Sequence, residues 1–185
     1  MKKITLAILL LTTITGTAMA QGENRDAAAS QSARLVMSNA IDITFAATSS
    51  TNGGTVALVF SNVNDYANGV NSDPYQLKVR SNKRFRVQVK TSSSRFTYSG
   101  NTTPAPRMNV SNILFLKLTN NNTGGSASSS FNNKFRSLSS SNQTLISNAT
   151  AGGNNTFNVE YRANPGYNFP AGNYSVNVIY TATQQ

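Results

Sequence analysis

Acid–base, nucleophilic and metal chemistry each need particular side chains, and this sequence is short of nearly all of them. It contains no Cys, no His and no Trp, and its six carboxylates are Glu23, Asp26, Asp42, Asp65, Asp73 and Glu160. Thiol and imidazole catalysis, Cys/His zinc sites, haem and iron–sulfur ligation all lack their residues. Paired-carboxylate catalysis would have to draw on Asp42, Asp65, Asp73 and Glu160, because Glu23 and Asp26 stand in a polar N-terminal stretch. Asp42 lies between Ile41 and Ile43, and Glu160 between Val159 and Tyr161, both outward positions on strands. That leaves Asp65 and Asp73 as the loop carboxylates. Without His, a Ser or Thr nucleophile needs a Lys base, and no S-x-x-K stands in a helical context. The inventory reads as non-enzymatic, with no cofactor.

Basic residues are the other chemistry on offer. Lys and Arg number 16 against 6 Asp and Glu, giving a net charge of +10. Seven of them, Lys78, Arg80, Lys83, Arg84, Arg86, Lys90 and Arg95, fall within one acid-free run. Tyr75, Leu77 and Val79 alternate there with Gln76, Lys78 and Arg80, Ser81-Asn82-Lys83 turns the chain, and Phe85, Val87 and Val89 alternate with Arg84, Arg86, Gln88 and Lys90. The spacing predicts a β-hairpin with its cations on one face, a positive plate. Such a plate attracts an anionic polymer such as lipopolysaccharide, a teichoic or capsular glycan, extracellular DNA or acidic lipid. Its plainer role is to solvate an outer sheet face and discourage edge pairing. Phe85 points toward the core, so no aromatic interleaves with the cations, and specific nucleic-acid binding is not expected.

Two further groupings could hold a ligand. The stretch Asn64 to Asp73 (NDYANGVNSD) sets Asp65 and Asp73 among amides that could ligate Ca²⁺, although the spacing is not that of an EF-hand and the same residues build Asx-turns. The loop aromatics Tyr66, Tyr98, Tyr167 and Phe169 stand among Asn and Thr and could stack sugar rings. They would equally serve as packed corner residues whose hydroxyls find backbone partners.

The elements that position these residues are readable from hydropathy. Met1-Lys2-Lys3, the apolar run Ile4 to Ile14 and Ala18-Met19-Ala20 form a secretory signal peptide over residues 1–20 with cleavage after Ala20. Its apolar run is too short to span a bilayer, and no later stretch predicts a transmembrane span. Residues 21–34 (QGENRDAAASQSAR) read as a flexible arm, and residues 35–185 as one domain. Asn, Ser and Thr supply 68 of the 185 residues, so the surface is amide- and hydroxyl-rich.

Within that domain the period is two nearly throughout. Leu35, Met37, Ile41, Ile43 and Phe45 predict a first strand region kinked near Ser38-Asn39, and Thr55 to Ser61 (TVALVFS) a buried strand. Asn62 to Pro74 is a predicted loop. Further strands are expected at Ile113 to Thr119 and around Phe157, Val159 and Tyr161, with short edge strands at Phe135 to Leu138 and Thr144 to Ser147. Asn120 to Asn133 reads as a weakly ordered loop, and Tyr174, Val176, Val178 and Tyr180 as a closing strand. Helix is nearly absent outside the leader. The pattern predicts an all-β antiparallel sandwich of about seven to nine strands, with a small eight-stranded barrel as the alternative.

The closing stretch Pro170 to Thr181 (PAGNYSVNVIYT) resembles the P-x-G-x-Y…V-x-V…Y strand of fimbrial-type and spore-coat-protein-U-like sandwiches, and small exported β-proteins of Gram-negative bacteria. The resemblance implies an immunoglobulin-like fold and subunits that polymerise by lending a strand to a neighbour. Residues 21–34 lack the alternating apolar pattern of a donor strand, and the chain has no disulfide. The expected role is a structural or adhesive protein, periplasmic, surface-bound or released, with other envelope or surface subunits as partners. The alternative is a soluble module that binds an anionic polysaccharide.

Overall fold

Short runs rich in Val, Ile, Leu, Phe, Tyr and Thr, each bounded by Asn, Ser or Gly, are too short and wrongly spaced for helices. They pair as strands instead. A computed structural model describes residues 29–47 and 52–185. The predicted leader, residues 21–28 of the predicted arm and residues 48–51 lie outside the described residues. The chain divides into two units after Val36, and the described part of the first, residues 29–36, is exposed and without regular structure.

The second unit is an antiparallel sandwich. One sheet has the strand order β1 (Ile41–Phe45), β3 (Tyr75–Ser81), β10 (Gly152–Ala163), β6 (Leu114–Thr119), β8 (Arg136–Ser137), with β2 (Val70–Asn71) also on β10. The opposing sheet runs β12 (Val178–Gln184), β4 (Phe85–Thr91), β9 (Gln143–Ala149), β7 (Ser126–Ala127). A small pair, β5 (Thr97–Ser99) with β11 (Asn173–Ser175), stands apart. Seven of these strands have five or more residues, within the expected range, and the sheets stay open, so the barrel alternative falls away.

The predicted hairpin is corrected. β3 pairs with β1 and β10, and β4 pairs with β12 and β9, so the two strands belong to opposite sheets. The corner between them explains why. The Ser81 hydroxyl donates to the Lys83 carbonyl, and the Asn82 amide donates to the Ser38 carbonyl while accepting from the Ala40 N–H. Gln184, at the end of β12, donates to Ser81, Asn82 and the Ala40 carbonyl. These bonds hold the corner to segments of both sheets rather than closing a tight hairpin turn. Period two dictates which side chains point inward but not which strand is the neighbour. Leu77, Val79, Phe85, Val87, Val89, Phe157 and Val159 are therefore buried as expected, at 1% exposure or less. They approach the core from two sheets.

Four other expectations change. Leu35, Val36 and Met37 are exposed at about 80%, and the first strand begins only at Ile41. The loop after Ser61 contains a helix, α1 (Val63–Asn68), capped by Asn62, whose side chain accepts the N–H groups of Asn64 and Asp65. Gly69 ends that helix at φ +76, and a Cβ there would come within 2.6 Å of the Ala163 carbonyl. The loop Asn120 to Asn133 is tied down: Phe131 is in the core, Thr123 is fully buried, and Ser126–Ala127 pair with β9. The closing stretch is two strands in different sheets, which leaves Tyr174, Val176 and Val178 half-buried.

Thr55 to Ser61 forms no strand. Burial nonetheless alternates along it: Val56, Leu58 and Phe60 are half-buried, while Thr55, Ala57 and Val59 are exposed, Val59 at 65%. Val56 and Leu58 pack against the core cluster. The segment's burial alternates as a strand's would, but among the described residues its main chain has no hydrogen-bonded neighbour.

Candidate functional site

The cross-sheet course of β3 and β4 divides the predicted positive plate. Lys78 and Arg80 project from the outer face of the β3 sheet, and Arg84, Arg86 and Lys90 from the outer face of the β4 sheet, on the opposite side of the sandwich. Lys83 sits exposed in the connecting corner. Arg95 lies beyond β4, exposed, its Nε donating to Asn109 Oδ1 at 3.3 Å. The seven cations do not form one surface.

The two faces differ electrostatically. On the β3 sheet Asp42 pairs with Arg80 across the β1–β3 register, and Glu160 holds Lys117 at 2.6 Å. Lys117 Nζ lies 4.9 Å above the Phe135 ring, and the Arg162 guanidinium 5.9 Å from it. Arg162 also donates to the Asn68 carbonyl at 2.7 Å. Cations on this face are largely answered by acids, carbonyls or an aromatic ring. An open groove of about 670 Å³ at its edge contains Asp42 and Arg80, which neutralise each other. On the β4 sheet no carboxylate stands in β4, β7, β9 or β12. Arg84, Arg86 and Lys90 form no ion pair among the described residues. Their cross-strand neighbours on β12 are Thr183 beside Arg86, Thr181 beside Gln88 and Ile179 beside Lys90.

The calcium candidates separate by role. Asp65 Oδ2 accepts the N–H groups of Ser61 at 2.7 Å and Asn62 at 3.0 Å, which completes the capping box of α1. Asp73 is exposed. No group of three or more metal-ligating acids, His or Cys occurs among the described residues.

The loop aromatics fall into two clusters. Tyr66 stacks on Tyr167 at 5.8 Å between ring centres and meets Phe60 at 5.3 Å. Tyr98 meets Tyr174 at 5.0 Å, and Phe169 meets Tyr174 at 6.3 Å. The Tyr98 ring lies against Gly100 and Gly172. The Tyr167 hydroxyl donates to the Val63 carbonyl, Tyr98 to Ala171 and Tyr174 to Pro170. These rings are engaged with one another and with the backbone in the manner of corner packing, though Tyr167 keeps 64% of its surface exposed.

The feature that sequence reasoning missed is the main chain of residues 55–60. None of its N–H or C=O groups has a hydrogen-bond partner among the described residues. One end is fixed where Gly53 lies against the Phe45 ring, and the other where Phe60 packs on Tyr66. Its composition carried the signal: six residues with β-branched and aromatic members and no charge, Pro or Gly.

No protein-family model matches the chain, and no curated protein does. Five solved chains match. One belongs to a chaperone–usher pilus structure described in terms of rod uncoiling, at 10% identity over 87% of this chain and 97% of that one, with a TM-score of 0.38.

Proposed function

We propose that this chain is a non-enzymatic structural subunit of the bacterial envelope, exported by its leader and assembled with further copies of itself at the cell surface. The observation that carries this reading is the main chain of residues 55–60, apolar, alternately half-buried against the core, and without a hydrogen-bond partner among the described residues. Natural sheets blunt such edges with Lys, Pro or a bulge, and none of these devices is present in TVALVF. A strand from a neighbouring copy laid along it would satisfy the donors and acceptors of one of its edges. Main-chain pairing would give the affinity, and the alternating side chains the register.

Sedimentation of the exported chain, expected to begin at Gln21, tests this across a concentration series. Parent protein should form multimers. Ala57→Pro with Val59→Pro removes two N–H donors from positions that bond nothing among the described residues, so stability should change by no more than about 0.5 kcal/mol while the multimers dissociate. A parent that stays monomeric throughout, or prolines that leave assembly intact, would overturn the reading. The adhesive alternative rests on a different surface.

A further inference from the structure

The sheet formed by β12, β4, β9 and β7 has an outer face whose cations form no ion pair among the described residues, and we propose that this face binds an anionic polysaccharide. Arg86 and Lys90 project outward by strand alternation, and Arg84, exposed just before β4, continues the row because the Gln185 N–H bonded to its carbonyl extends the β12 register past Phe85. At about 3.3 Å per residue, Arg84 and Arg86 stand about 7 Å apart and Arg86 and Lys90 about 13 Å. The row is therefore about 20 Å long. Gln88 lies in its middle, and Thr181 and Thr183 run beside it on β12. None of these side chains is used in a hydrogen bond within the described residues.

The chemistry of the row selects the partner. Free guanidinium and ammonium groups attract carboxylate or sulfate, and the intervening hydroxyls and amide match sugar hydroxyls on an extended, flat chain. Ile179, 39% exposed, is the one large apolar residue on β12 facing this way, too little to insert into a bilayer. No aromatic stands beside the cations to stack a base. The opposite sheet has five cations on its strands, Lys78, Arg80, Lys117, Arg136 and Arg162, but Asp42 and Glu160 pair with Arg80 and Lys117, and Arg162 donates to the Asn68 carbonyl. Local charge on one face, and not net charge, is what the proposal invokes.

The test measures binding to polygalacturonate, with neutral dextran, anionic phospholipid vesicles and single-stranded DNA as comparisons. With three cations engaged, parent affinity for polygalacturonate should fall about twentyfold between about 50 and about 200 mM salt, taking the single-strand slope of about 0.7 per charge. Arg84→Ser, Arg86→Ser and Lys90→Ser together should abolish that dependence and lower affinity by at least about tenfold at the low-salt end. Removing the same charge from the other sheet, with Lys78→Ser, Arg80→Ser and Lys117→Ser, should leave most of the binding. Arg84→Lys, Arg86→Lys and Lys90→Arg, which keep the charge, should retain it, so a folding defect in the serine variant is distinguishable from lost contacts. Equal loss in both serine variants would reduce the effect to net charge and overturn the proposal. So would tighter binding to vesicles or DNA than to polygalacturonate, equal binding to dextran, or a parent that does not bind.

Discussion

Replacing Phe85 with Ala should destabilise the protein by about 3–5 kcal/mol, the range for deleting a buried aromatic and leaving a cavity behind. Phe85 opens β4, is fully buried, and pairs in register with Gln184 on one side and Ala149 on the other. Its ring faces the opposite sheet, so no solvent-side movement can refill the space, and close-packed neighbours collapse only in part. Native domains are stable by roughly 5–15 kcal/mol, so this single change removes about a fifth or more of the total. Thermal unfolding should drop by about 6–20 °C for a domain of this size. A loss under about 1 kcal/mol would show that β4 does not present Phe85 to the core, and the facing of β4 would have to be inverted by a one-residue shift.

Alkali should unfold the protein through a pair of tyrosines. Tyr161 on β10 and Tyr180 on β12 join the two sheets by a hydroxyl–hydroxyl bond of 2.7 Å. Burial pushes the Tyr161 phenol up to about 12, partly offset by the bond from Tyr180. Burial raises Tyr180 well above the usual phenol range as well. Below pH about 10 both phenols keep their protons in the folded and unfolded chain, and stability is unaffected. Above it the unfolded chain ionises while the folded one does not, so unfolding releases protons and stability falls as pH rises. For Tyr161 the loss approaches about 2–3 kcal/mol by pH about 12, and Tyr180 adds to it as a coupled partner. Denaturant midpoints taken from pH about 9 upward should show that slope, steeper in the parent than in a Tyr161→Phe/Tyr180→Phe double variant. Equal slopes in the two proteins would mean the phenols ionise freely in the folded state. Tyr161→Phe alone should cost about 1–3 kcal/mol, because the Tyr180 hydroxyl is left buried without its partner.

Much of the fold was legible because alternation reports burial directly. Leu77, Val79, Phe85, Val87, Val89, Phe157 and Val159 are inward in both the pattern and the structure. What alternation does not encode is strand partnership. The order KVRSNKRFRV is compatible with a hairpin or with a corner between sheets, and the choice rests on Gln184, about a hundred residues away in sequence. That distant anchor is why the predicted positive plate becomes two faces of unequal character. The same limit hid β7, whose two residues pair with β9 inside a stretch of Ser, Asn and Gly. Phe131, the one large apolar residue in that stretch, was the signal that it would be held. In TVALVF the apolar run was read and its burial half anticipated, but sequence composition does not tell a paired strand from an unpaired one.

Amide hydrogen exchange over residues 55–60, compared between dilute and assembled protein, addresses assembly most directly. In the dilute monomer these amides should exchange fast, because none bonds within the described chain, while those of β3 and β10 stay protected. On assembly, protection should appear along 55–60 at alternate positions, as one edge of the segment gains a ladder. Slow exchange in the monomer, or amides equally fast before and after assembly, would contradict the account.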